Sequence, residues 1–154
     1  MGTTWGTLVL AGFTASVLSA CAFWLFRALK VTEFSPTTQL GCLVSGDPRL
    51  PLTETVGVVL FMLLGCTLLP LLYAAAMRGL GGVGWGTGAA VGAVHGVLAA
   101  AGLPWAARYS ACVRNGHLPL PGMLGVRWGA ATPAVVVAGH VLYGAVLGAV
   151  MGAA

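Results

Sequence analysis

Four stretches of this chain are almost free of polar side chains, and the polar residues collect between them. The apolar stretches run from about Thr4 to Phe26, Thr55 to Met77, Val83 to Ala107 and Pro133 to Ala153. Each meets the length of roughly 20 apolar residues that an α-helix needs to cross a bilayer. Inside lipid the backbone must satisfy its own hydrogen bonds, and a helix does this within one segment. The pattern therefore predicts an all-α fold: a single domain, residues 1–154, built as a four-transmembrane-helix bundle. Polar connections occupy 27–54 and 108–132, and a short Arg78-Gly79-Leu80-Gly81-Gly82 turn separates the second helix from the third.

A second periodicity runs inside the apolar stretches. Gly84, Gly88, Gly92 and Gly96 recur every four residues in the third, and Gly144, Gly148 and Gly152 follow His140 at the same step in the fourth. Residues four apart share one face of a helix. The first helix carries Gly12, Ser16 and Ala20 in the same way. Such faces let backbones meet in lipid, where association rests on van der Waals contact and occasional hydrogen bonds. They are expected to pack against each other, against the first helix or against a partner protein. Thr132 and Pro133 read as the N-cap and first-turn proline of the fourth helix, and Pro70 is expected to bend or loosen the second near Cys66.

Composition changes the picture in one direction only. Seven Lys and Arg, three Asp and Glu and 58% hydrophobic residues exclude an ordinary soluble domain, about a quarter of which is charged. The net charge of +4 comes from arginines scattered at helix ends rather than from a groove-binding patch, so no nucleic-acid partner is expected. Arg27, Lys30, Arg49, Arg108, Arg114 and Arg127 stand on the side of the two long connections, against Arg78 alone on the other. Positive residues mark the cytoplasmic side, which puts the long loops in the cytoplasm and both termini outside. Cys42 and Cys112 pull the other way, because they share the loop side and a disulfide between them would belong to an oxidising compartment. Cys21 and Cys66 lie in apolar stretches and read as small hydrophobes. Leu18-Ser19-Ala20-Cys21 is similar to a lipoprotein cleavage box, but no basic segment precedes it and the apolar run continues through Phe26.

His95 and His140 carry the candidate chemistry. Each lies well inside its helix, and antiparallel neighbours would bring them to similar depth. Three roles are open to them. They can hydrogen-bond a backbone carbonyl, Thr67, Tyr143 or Thr87 and hold the bundle in register; they can ligate a cofactor, haem b between both rings or a bacteriochlorophyll magnesium on one; or they can handle protons or substrate. His117 joins Cys42 and Cys112 in the loops, a set able to hold zinc, although neither C-x-x-C nor H-x-x-x-H spacing is present. Glu33, Asp47 and Glu54 read as solvated loop acids. No nucleophile, base and orienting group stand at usable spacing, so an enzyme is not expected.

The run Arg127-Trp128-Gly129-Ala130-Ala131-Thr132-Pro133, followed by His140-Val141-Leu142-Tyr143-Gly144-Ala145-Val146-Leu147-Gly148, resembles the C-terminal pattern of an uncharacterised bacterial family of small four-helix integral membrane proteins. The resemblance extends to Leu40-Gly41-Cys42-Leu43-Val44-Ser45-Gly46 and to Gly92-Ala93-Val94-His95-Gly96. It departs at Arg127-Trp128, where the family pattern has an Asn-Tyr pair. The resemblance implies four helices and a multi-pass place in a bacterial inner (cytoplasmic) membrane, and it implies no chemistry.

On these grounds the chain is expected to be a non-catalytic accessory subunit, docked through its glycine-lined faces onto a larger membrane protein complex, respiratory or photosynthetic, with membrane lipids around it. The alternative is a small transporter or channel with Pro70, His95 and His140 along its path, or a haem- or chlorophyll-binding subunit. No Asp, Glu, Lys or Arg lies mid-membrane, although ion and proton routes usually include one.

Overall fold

A computed structural model describes residues 4–154. In chain order its helices are α1 (Trp5–Ala28), α2 (Pro36–Gly41), α3 (Pro51–Cys66), α4 (Leu68–Gly79), α5 (Trp85–Ala106), α6 (Ala111–Arg114) and α7 (Thr132–Ala153). Among the described residues there is no β-strand. α1, α3 with α4, α5 and α7 are long and apolar enough to cross a membrane. Exposed tryptophans mark the two ends, Trp5 and Trp85 at one, Trp24 and Trp105 at the other. At 1.5 Å per residue, Trp5 and Trp24 are ~28 Å apart and Trp85 and Trp105 ~30 Å apart. Both figures match a hydrocarbon layer of about 30 Å, with indoles at its two interfaces.

The spans form a row: α5 packs on α7, α7 on α1, and α1 on α3. The α5–α7 contact is a backbone seam. A Cβ built on Gly88 would lie 2.0 Å from the Gly144 carbonyl oxygen, and one on Gly144 would lie 2.0 Å from that of Gly88. Gly92 faces the His140 carbonyl, Gly96 the Val137 backbone, and Gly148 the carbonyl of Gly84; Gly152 sits more loosely against Val83. Gly84 contributes its carbonyl, while its own Cβ position is open. The glycine stripes of the third and fourth spans are thus filled by each other.

The second span is loosened to a break next to Cys66. Pro70 has no N–H to offer the Cys66 carbonyl, and Thr67 leaves the helical region at φ −121°, ψ −75°. Tyr143 donates to the Gly65 carbonyl beside the break at 2.7 Å. Gly12 seats α1 on the same point, since its Cβ would lie 2.4 Å from the Gly65 oxygen. Below the break α4 turns toward α5 and α7, whereas α3 and α5 share no packed interface among the described residues. The lower half of the bundle closes over Leu8, Tyr73, Met77, Tyr143 and Leu147, all buried. The upper half stays open on one flank.

The loop side forms a cap. Cys42 and Cys112 are joined in a disulfide, and the Ala111 N–H donates to the Cys42 carbonyl at 2.7 Å. This pairing opposes the cytoplasmic placement read from the arginine count, because disulfides persist in oxidising compartments. It also removes both sulfurs as zinc ligands; His117 Nδ1 lies 2.9 Å from the Gly46 carbonyl instead. Thr132 is the first helical residue of α7 rather than its cap. Its buried hydroxyl is hydrogen-bonded to that of Thr32 at 2.7 Å, so it ties the last span to the first connection. Phe34 stacks on Trp128 and meets Phe23 edge-on, which anchors the cap to α1.

Candidate functional site

The open upper flank encloses an intramembrane cavity of about 410 Å³, in the size range of small-molecule sites. α1, α3, α4, α5, α7 and the cap all contribute to its wall. The cap end is formed by Phe34, Pro36, Gln39 and Leu40, and the flank by Leu64, Ala99 and Leu103. No Asp, Glu, Lys or Arg lines it.

Its deep end is polar. His140 lies eight residues inside α7, ~12 Å below the start of that helix, and His95 lies ~16 Å below the end of α5. The two rings touch edge-to-face with centroids 4.5 Å apart. The antiparallel seam sets this meeting, since Gly92 and Gly96 bring α5 onto the backbone around His140. His140 Nδ1 donates to the Val136 carbonyl at 2.7 Å, so the neutral ring carries its lone pair on Nε2. His95 Nδ1 and the Tyr73 hydroxyl share a hydrogen bond of 2.9 Å. Tyr73 in turn meets Tyr143 edge-on.

Two serines of α1 complete this end. Ser19 donates to the Gly139 carbonyl at 3.3 Å. Ser16 is 0% exposed and lines the cavity, and its hydroxyl has no hydrogen-bond partner. A buried hydroxyl left unpaired costs about 1–3 kcal/mol. The Ser16 oxygen sits against Gly65, where any Cβ would collide with it.

The partners suggested by sequence are therefore redistributed. Tyr143 serves Gly65 instead of a histidine, Thr67 donates to the Leu63 carbonyl, and Thr87 to those of Gly82 and Gly84. Tyr73 and Ser16 are the residues that sequence reasoning had not placed beside the imidazoles. The signal for Tyr73 was a phenol deep in an apolar span, where a hydroxyl must find a partner.

The imidazoles do not fit a sandwiched haem b. Axial ligation places a metal between two rings, about 2 Å from each nitrogen, and here the rings are in direct contact. His140 Nε2 alone keeps the chemistry of a single ligand or of a hydrogen-bond acceptor. Among the described residues no group of three or more His, Cys, Asp or Glu is placed to hold a metal ion.

No curated protein matches the chain, and no solved structure does. A family profile matches residues 4–154, nearly the whole length, and the chain belongs to that family, the family of unknown function DUF6789.

Proposed function

We propose that this protein is a non-catalytic multi-pass membrane protein that holds a small lipid-phase molecule in the cavity between α3 and α5. The observation that carries this reading is the convergence of two imidazoles and an unpaired serine hydroxyl at the deep end of a mainly apolar chamber. That is the composition of a small-molecule site: apolar walls with a few placed polar groups. A through-path for a transporter or channel has less support, because the chamber is blind. Tyr73, Met77, Tyr143 and Leu147 fill the bundle below it, and Pro70 is buried against Gly12 instead of lining it. Docking onto a larger respiratory or photosynthetic complex would have to use lipid-facing surface, since the glycine faces are occupied within the chain. We place the cap outside the cytoplasm, as its disulfide favours, in a bacterial inner membrane.

The test uses the protein extracted with its surrounding lipid into polymer nanodiscs, followed by release into the gas phase for native mass spectrometry. Wild type is expected to carry a retained small molecule. Ala99→Phe, which fills the chamber from α5, is expected to lose it at unchanged helix content. Equal retention by both forms, or none in wild type, overturns the reading. A pigment band in the absorbance spectrum would replace the lipid with a cofactor.

A further inference from the structure

The chemistry of the chamber selects among lipid-phase molecules, and this inference rests on the reading just given. The wall lacks any cation, so a phosphate or carboxylate head would enter without a countercharge and at the full desolvation cost of a buried ion. A bare hydrocarbon would leave the Ser16 hydroxyl unpaired. An uncharged oxygen head meets both conditions. Its hydroxyl or carbonyl can accept from Ser16 Oγ once that hydroxyl turns from Gly65 toward the chamber, and a hydroxyl can donate to the lone pair on His140 Nε2. Ser16, His95 and His140 gather at mid-depth, while at the cap end the Gln39 amide stands among Phe34, Pro36 and Leu40; the unpaired Ser16 hydroxyl draws the head to the deep end. With α3 and α5 unpacked against each other, the tail leaves through that flank into the surrounding acyl chains.

We propose that the corner formed by Ser16, His95 and His140 is the head-group subsite for an uncharged, hydroxyl- or carbonyl-bearing lipid, admitted sideways from the bilayer between α3 and α5. The subsite distinguishes this class from anionic lipids by the absence of charge, and from alkanes by one unsatisfied donor.

Three photoreactive probes of equal chain length test it in lipid nanodiscs: a C16 alcohol, a C16 carboxylate and a C16 alkane, each carrying a diazirine. The alcohol is expected to label the chamber walls most strongly. Ser16→Ala is expected to lower alcohol labelling about tenfold, the worth of one buried hydrogen bond, and to leave alkane labelling unchanged. Without ligand the same substitution should raise thermal stability slightly, because it deletes an unpaired hydroxyl; this shows that the loss of labelling is not a loss of fold. Equal labelling by all three probes, or preference for the carboxylate, overturns the head-group proposal while the binding reading stands. Labelling by none of them overturns both. Alcohol labelling that Ser16→Ala leaves untouched means that Ser16 contacts water only, and the subsite assignment fails.

Discussion

Gly86 and Gly88 stand two positions apart on α5 and face opposite demands. The Cβ position of Gly86 is open, whereas that of Gly88 lies on the Gly144 carbonyl. Gly88→Ala should therefore force the α5–α7 seam apart and destabilise the bundle by about 1–3 kcal/mol, the usual range for overpacking. Gly86→Ala should be neutral or slightly stabilising, since alanine is the better helix former. Thermal melts of the two variants in one detergent compare them directly, and equal losses would show that the seam is not backbone to backbone. At the same scale, the sequence shows Ser16 as a packing residue and nothing more. Its spacing with Gly12 and Ala20 is visible in sequence, but an absent hydrogen-bond partner is a property of three neighbouring spans.

Among the elements, the spans and their small-residue faces were legible because each is written in composition and in a period of four. The break of the second span was only partly legible. Pro70 announces the lost hydrogen bond, yet the discontinuity at Thr67 also depends on Gly12 and Tyr143, which arrive from α1 and α7. The cavity was not legible at all, being the space left where α3 fails to reach α5. The cap was legible only in part: the Cys42–Cys112 pairing is open to sequence, but the contacts it fastens, such as those of Asn115 and His117 with the Gly46 carbonyl, join residues some 70 positions apart. Within the cap, Asp47 accepts from Arg49 Nε at 3.1 Å, from Nη2 at 3.2 Å and from the Arg49 N–H at 2.9 Å. These bonds hold its carboxyl below the usual carboxylate value of 3.8. A lowered native value stabilises the fold at pH above 3.8, and that contribution fades as pH falls below it. With intrinsic rates divided out, amide protection across residues 45–50 should fall in wild type on acidification from pH 5 to pH 3, whereas Asp47→Asn should be less protected than wild type at pH 5 and change little down to pH 3. Identical acid profiles for the two would detach Asp47 from cap stability.

For the molecule as a whole, the two topology signals disagree, and labelling separates them. Met123 in the cap and Leu80 in the short turn are both well exposed. With the cap outside, Met123→Cys should react with an impermeant maleimide on intact cells, and Leu80→Cys only after permeabilisation. The reverse pattern would restore the arginine-count topology and require the cap cysteines to be reduced in the cell.

The seam between α5 and α7 also bears on how the chain is made. α5 is the least apolar of the four spans, and its flattest face finds its match only in the 22 residues of α7, Thr132–Ala153. During synthesis it must wait in the bilayer with that groove filled by acyl chains until α7 arrives. The seam is thus completed only with α7, and a ribosome that stops before residue 132 would leave an inserted but unfinished product for membrane quality control to remove.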